Sequence, residues 1–573
     1  MWHYLNLYQL AFNFDQTHCQ HTMHHCLSVL EILNCIIEWL STDGTQDIAA
    51  LARVNQAFSR SALEFLWKAQ SQLSVLFQCI PVDLWYIFDK ADGKGQILVY
   101  IYMFHSLTFC YWHCCFKYFN RPLVKKDWDH VALYGAMMQK ISIGSRPIYL
   151  WQNSYHVSID PAVFSAIDHA IADQMHPHPL FPKVHAIIFH ESHLTTAWHL
   201  MSLMTATITS LEINIEQTQD IDGGSLGMQT VLASMQTRCP SLNNFKIACN
   251  QSNAMDELLS HFTHGLLGMQ ALTHLDISAF LIYTPTLIEI SSIPHLKHLS
   301  FNVNGLNMHD IPSNIHFPTL FECNIYGKQK NTALEFIKAL TTSSFIQLDI
   351  FFDLPFTPDD IHQILTSLLP CQFTIKHINI QWWLDPDRGI TLDDSDYISG
   401  ITLAPLLEFS HLKNVELNTL SSLHGIDDTF ISKLALSCPN LVHLDLGSRG
   451  AVNFPMDTTL ASLVILANHC RLLQNIGLYF DCCTIQSWVT KDLQCNNAIT
   501  QLSVGCSTIQ TSNINTMANF LSKLFPNLTR IDFRWNSNDV DSDDDAIASS
   551  SENSQQVHHC WDLVLTRVKS YRD

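Results

Sequence analysis

The sequence predicts an α/β fold: a small amino-terminal helical module followed by a curved solenoid of strand–helix units. Three observations carry that expectation. A triplet of apolar positions at spacing 0, 3 and 5 recurs thirteen times between Val184 and Phe533. Amphipathic helical patterns alternate with several of the triplets. Ahead of the first triplet, two short helical stripes stand apart from the repeat.

The clearest triplets are Leu242-Phe245-Ile247, Leu296-Leu299-Phe301, Leu412-Val415-Leu417, Leu441-Leu444-Leu446 and Leu528-Ile531-Phe533. Weaker copies begin at Val184, Ile208, Leu272, Leu320, Phe345, Ile375, Leu473 and Ile499. First positions follow one another at intervals of 24 to 37 residues, with a mean of about 29. The second and third members alternate as residues on one face of a short strand do. Each unit exposes apolar surface that it cannot bury alone, and stacking on neighbours buries it.

The helical half of a unit is clearest at Thr357-Pro358-Asp359-Asp360. Thr357 can cap a helix, Pro358 suits its first position, and the two Asp favour its positive end. Ile361, Ile364, Leu365 and Leu368 then share one face. LASLVILANHC and NTMANFLSKLF play the same part before the Leu473 and Leu528 triplets. An ordinary α/β domain also alternates strands with helices. Thirteen copies at this spacing favour the solenoid.

Composition narrows the function. The chain has 573 residues, 31 Lys plus Arg against 52 Asp plus Glu, and a net charge of −21. That balance argues against broad binding to nucleic acid or an anionic membrane. The 18 Cys are too sparse for a disulfide scaffold. Many lie in apolar runs, such as Cys35, Cys323 and Cys495, which predicts buried, reduced thiols and a cytosolic or nuclear setting. The amino-terminal residues lack the features of a signal peptide.

Residues 27–40 read LSVLEILNCIIEWL, with Leu30, Leu33, Ile37 and Leu40 in a helical stripe and Ile36 beside it. A second pattern begins near Asp47 and places Ile48, Leu51, Val54, Phe58, Leu63 and Leu66 at helical spacing. Helices this short must pack on one another or on a partner. The choice is between a cap on the solenoid and a docking module.

Three resemblances bear on that choice. The run from Ile426 to Leu446, with Cys438-Pro439 before its strand, resembles the cysteine-containing leucine-rich repeats of F-box proteins. Cys239-Pro240 and Cys470-Arg471 hold the same place, where a thiol packs at a turn. The amino-terminal stretch resembles an F-box. Glu31-Ile32-Leu33 with Ile36 and Leu40 matches its opening helix, Leu51 to Phe58 its middle, and Leu66-Trp67 its end. Ser28 and Val29 stand where that family usually has Leu-Pro, and Phe58 where it usually has Trp. The stretches 80–85 and 119–135 resemble the linker of fungal F-box-like proteins with irregular repeats.

The resemblance implies a non-catalytic receptor subunit of a ubiquitin ligase. The F-box would bind a Skp1-like adaptor and through it a cullin, and the repeats would bind an unknown protein substrate. Leu27, Ile32, Leu33, Ile36, Leu51, Val54, Phe58, Leu66 and Trp67 would carry or support the adaptor interface. The alternative is a leucine-rich-repeat scaffold that serves no ligase.

The expected organisation is a flexible terminus at 1–22, the helical module at 23–70 and a linker and helical cap at 71–175. The solenoid follows at 176–536, then an acidic disordered tail at 537–573, within which HHCWDLVLTRV could form a short helix. Residues 92–118 read as an apolar insertion. Gln96 to Phe116 carries no charge and approaches the length of a bilayer span; a buried hairpin or helix is the second alternative, and the segment's soluble-looking flanks favour an insertion over both. HCQHTMHHC at 18–26 has metal-ligand chemistry without a known metal spacing. No phosphate loop, HExxH or GxSxG occurs, and DVDSDDDAIASSSE lacks the Gly and Glu of a calcium loop. No cofactor, metal or catalytic residue is expected.

Overall fold

The structure is a computed structural model. It describes residues 29–41, 45–54, 56–69, 73–77, 79–81, 85–89, 96–100, 124–143, 157–159, 180–191, 200–215, 221–249, 266, 268–312, 315–340, 346–353, 356–382, 398–418, 425–447, 457–482, 493–505, 507–533 and 548–571. The chain divides into two units, 1–272 and 273–573.

Among the described residues, the first unit begins with helices α1 (Leu30–Ser41), α2 (Thr45–Leu51), α3 (Gln56–Ala69) and α4 (Leu73–Phe77). Ile37, Ile48, Ala49, Ala52, Ala62 and Leu66 form one small core between the first three. Strands β1 (Trp85–Asp89) and β2 (Gln96–Tyr100) pair antiparallel. Gln96–Tyr100 is therefore strand; the rest of the apolar insertion lies outside the described residues. Helix α5 (Asp129–Gly135) then returns to α3, and Trp67 stacks on Tyr134 with ring centroids 4.8 Å apart.

Strand β3 (Lys140–Ile143) follows, and β4 (Val157–Ile159) pairs with β2. The first unit then continues through β5 (Ala186–Glu191), α6 (Leu200–Leu203), β6 (Ser210–Ile215), α7 (Ile221–Arg238) and β7 (Asn244–Cys249). Strands β3, β5, β6 and β7 lie parallel in that order. Sheet pairing thus starts before the expected boundary at 176. Met138, Ile141 and Ile143 are a further 0-3-5 triplet, fully buried, inside the stretch read as linker.

The second unit runs through β8 (His274–Leu281), α8 (Thr284–Ser291), β9 (His298–Asn302), β10 (Glu322–Gly327), α9 (Lys330–Ala339), β11 (Gln347–Phe352), α10 (Pro358–Ser367), β12 (His377–Trp382) and β13 (Asn414–Asn418). It continues through α11 (Asp428–Ser437), β14 (His443–Leu446), α12 (Leu460–His469), β15 (Asn475–Gly477), β16 (Gln501–Ser503), α13 (Ile514–Leu524), β17 (Arg530–Asp532) and α14 (Ala548–Ser570). All ten strands are parallel and follow chain order. This is an α/β leucine-rich-repeat solenoid.

Each triplet's first member sits two residues before a strand, and the second points inward from it; the third does the same, except that Leu478, Val504 and the half-buried Phe533 lie just past their strands. Twelve of the thirteen first members are described, and all are buried; Phe345 lies outside the described residues. Register locks the rows together, so that Leu348 pairs with Cys323 and Ile378, and Ile350 with Ile325 and Ile380. One carbonyl per repeat accepts two backbone N–H groups from the next. Ile346 O takes them from Lys376 and His377 at 2.8 and 3.0 Å, and Lys376 O from Lys413 and Asn414 at the same distances.

The cap read at Thr357 is present. Its side chain accepts from Asp360 N, and Asp360 accepts from Thr357 N, with Pro358 at the first helical position. The tail carries the helix that HHCWDLVLTRV allowed, and it is longer than that stretch: 23 residues from Ala548 to Ser570, so this part is not disordered. Cys560, Trp561, Val564 and Val568 are buried, and α14 packs on α13 and the edge strand β17. Trp561 Nε1 donates to Ser507 O at 2.9 Å. An edge strand left bare invites pairing with other chains, and a helix laid over it removes that hazard. The acidic run 539–545, the His/Cys cluster at 18–26 and Leu27 lie outside the described residues.

Candidate interaction surfaces

The structure separates the residues assigned to the adaptor interface into two groups. Leu33, Phe58, Leu66 and Trp67 are buried and hold the module together. Ile32 and Val54 are exposed, and Ile36 and Leu51 are half-buried. Trp67 is only 1% exposed and braces α3 against α5, so it faces the body of the first unit. A salt bridge from Lys183 to Glu64 at 3.2 Å, itself exposed, adds little to that joint.

Helix α1 has two apolar faces. Leu33 and Ile37 point into the core, while Leu30 is exposed. On the other side Ile32, Cys35, Ile36 and Trp39 recur at i, i+3, i+4 and i+7 and line a shallow groove with Glu31. Trp39 is 67% exposed, against 40% for Ile32. Sequence reading missed Trp39 and Cys35 here. Their spacing from Ile32 was the available signal.

The cysteines also divide. Cys35 and Cys495, expected inside, are exposed, whereas Cys323 is buried. At the helix-to-strand turn, Cys438 donates to Phe409 O at 3.4 Å, and Cys470 to Cys438 O at 3.7 Å. Asn496 takes over in the next repeat and donates to Cys470 O at 3.0 Å. Three consecutive turns are thus tied by one side-chain donor each. Burial pushes the Cys438 and Cys470 thiols up to about 12, which fits packing and opposes reactivity.

The second surface is the outer face of the second unit's strands. One row runs His274, His298, Glu322, Gln347, His377, Asn414, His443 across matched register positions. The row two residues on carries Asp276, Ser300, Asn324, Asp349, Asn379, Glu416 and Asp445. The His274 and His298 rings stack 4.0 Å apart, and His298 Nδ1 lies 2.8 Å from Glu322 Oε2. Gln381 donates to Glu416 at 3.1 Å. Burial and the neighbouring His298 hold His274 below the ordinary imidazole range, and burial with Lys413 and Lys376 does the same to His377. Among the described residues no group of three or more His, Cys, Asp or Glu could hold a metal, and no helix is long and apolar enough to cross a membrane.

No family model and no curated protein matches the chain. Solved structures that align with it include the yeast Rad7 and Elc1 complex, at 15% identity and TM-score 0.33 over 64% of this chain and 80% of that one. An internalin from Listeria monocytogenes aligns at 11% identity and TM-score 0.28, over 63% and 78%. The TLR13–ssRNA13 complex aligns at 14% identity and TM-score 0.29, over 70% of this chain but 44% of that chain, so less than half its length is spanned. The repeat fold itself is carried by the strand register and the buried triplets described above.

Proposed function

We propose that the chain is the substrate-recognition subunit of a Skp1–cullin–F-box ubiquitin ligase. In its broader form the reading is a leucine-rich-repeat protein-interaction scaffold that performs no chemistry of its own. The observation that carries the finer form is the outward apolar face of α1. Ile32 and Ile36, which the F-box resemblance assigns to the adaptor, share it with Trp39, ahead of a repeat body. A contiguous exposed apolar face on a small helical module marks a protein contact.

In this role the repeats hold a target protein while the helical module holds the adaptor. The assembly raises the local concentration of target lysines near a ubiquitin-charged enzyme, so the chain contributes proximity and no catalytic group. The setting would be the cytoplasm, the nucleus or both.

The test is co-expression with a Skp1-like adaptor, followed by affinity purification of the full chain. Stoichiometric adaptor is expected with wild type. Ile32→Glu with Trp39→Ala should abolish it while the melting temperature stays within about two degrees, because both side chains face solvent. A folded wild-type chain that retains no adaptor removes the ligase reading and leaves the scaffold.

A further inference from the structure

The strand face of the second unit holds a polar group that adaptor binding leaves unused. Asn324, Asp349 and Asn379 occupy matched register positions on β10, β11 and β12. Neighbouring strands lie about 4.8 Å apart, so the three side chains stand in a row roughly 10 Å long. Asp349 is 8% exposed and accepts a hydrogen bond from Gln347 Nε2 at 2.8 Å. On either side, the Oδ1 atoms of Asn324 and Asn379 are shielded from water and accept no hydrogen bond. Shielded acceptors without a donor are rare in folded proteins and call for an explanation. Turning the Asn324 amide over would not remove the problem, because its Nδ2 already donates to Ser300 Oγ at 3.0 Å and Glu322 Oε1 at 3.1 Å.

A second feature lies beside the row. Tyr326 and Phe351, two residues further along β10 and β11, stack with centroids 4.9 Å apart and stay half-exposed. Burial, Asp276, Asp349 and Glu322 push the Tyr326 phenol up to about 12, so the ring stays neutral. Among the described residues, no Lys or Arg occupies an outward position on β8 to β16. The strands therefore offer acceptors, carboxylates, aromatic rings and imidazoles, with Lys297, Lys376 and Lys413 one residue outside them at the edge of the face.

We propose that the Asn324–Asp349–Asn379 row, with the Tyr326–Phe351 pair beside it, takes the cationic head of a lysine or arginine on an extended segment of a partner protein. A lysine ammonium has three donors and no acceptor, and within its reach of about 3 Å it can meet the Asp349 carboxylate and one flanking amide oxygen, once that amide turns outward to accept. The aromatic pair attracts the same cation through its ring faces and packs on the aliphatic stem. Asp276, Glu416 and Asp445, in the same row, would meet further basic residues on that segment. The carboxylates repel a nucleic-acid backbone, so a basic peptide is the occupant that the charge selects. The inference rests on the repeats being the partner-binding body, and it names the chemistry of that partner.

The test uses the full chain and a fluorescent Gly/Ser/Thr peptide of about twelve residues with three lysines, read by anisotropy at low and physiological salt. The norleucine counterpart should bind at least tenfold more weakly, and Asp349→Asn should weaken the lysine peptide about tenfold. Asp310→Asn removes the same charge from an exposed site off the strand face and should change affinity less than twofold. Asp349→Asn must be shown folded by thermal unfolding. Equal binding of the lysine and norleucine peptides, or wild-type affinity in folded Asp349→Asn, overturns the proposal. Adaptor co-purification, run in parallel, separates the two readings. A chain that keeps its adaptor yet ignores the lysines fails only here, and one that loses its adaptor yet prefers the lysine peptide keeps this site.

Discussion

The outer face of α1 and the inner rows of the second unit use the same kinds of side chain to opposite ends. Leu444, Leu446, Ile378 and Ile380 are buried because a parallel neighbour covers each strand on both sides. Helix α1 has partners on one side only, so Leu33 and Ile37 bury while Ile32 and Trp39 stay in solvent. A repeat hands every unit its neighbour, whereas a helical module of this size runs out of neighbours. Apolar residues that remain outside therefore point to a contact beyond the chain. Truncation at the two places should differ most. Leu444→Ala leaves a cavity in a packed row and should cost about 2–5 kcal/mol of stability in urea unfolding. Trp39→Ala removes a larger side chain and should cost less than about 0.5 kcal/mol. Similar costs at both positions would break the comparison.

The same contrast extends to thiols. Cys35 sits in the α1 groove, and Cys495 is also exposed, whereas Cys239, Cys438 and Cys470 are buried at turns. Burial pushes Cys239 to about 12 as well, against the nearby Arg238 and a hydrogen bond with Thr205. Alkylation of the native chain, read by peptide mass mapping, should among the described cysteines modify Cys35 and Cys495 first, and the turn cysteines only on unfolding. If adaptor covers the α1 groove, it should protect Cys35 and leave Cys495 reactive.

Which features the sequence disclosed follows from how local their causes are. The triplets were readable because strand alternation and a turn impose the 0-3-5 spacing within six residues. Met138-Ile141-Ile143 escaped because it precedes Val184 by more than any other interval. The end of helix α14 was legible in HHCWDLVLTRV, where Trp561, Val564 and Val568 share a helical face, whereas its start at Ala548 lies in a Ser-rich polar stretch that shows no apolar period. In the helical module the sequence supplied the apolar positions and could not tell lining from core. That depends on where α2 and α3 sit around α1. The Asn324–Asp349–Asn379 row needs residues about 25 to 30 positions apart in exact register, and only the strand pairing supplies it.

The finest comparison is between two aspartates in adjoining repeats. Asp360 sits at the α10 cap. Burial would raise its carboxyl, but hydrogen bonds from Lys330, at 2.6 Å, and Thr357 outweigh that and hold it below the ordinary value of 3.8. Asp349 has no such cation; burial raises it above 3.8, assisted by Glu322 and opposed by Gln347 and Asn379. The signs of the linkage are opposite. A lowered folded value means that ionised Asp360 favours the fold, a contribution present above pH 3.8 and lost as pH falls through the folded value. A raised folded value means that ionised Asp349 opposes the fold, so its favourable contribution is present below pH 3.8 and lost as pH rises through the folded value. Thr357→Ala removes the cap hydroxyl and should cost about 1 kcal/mol at neutral pH. Its cost relative to wild type should shrink as acid protonates Asp360. Asp349→Asn should move the other way, by a smaller amount: a slightly higher melting temperature at pH 7 that fades below pH 4. A residue whose removal stabilises the fold is retained at a cost to stability, which is what a binding row would require. If Asp349→Asn instead melts lower at neutral pH, the carboxylate is structural, and the strand face loses its clearest sign of a binding role.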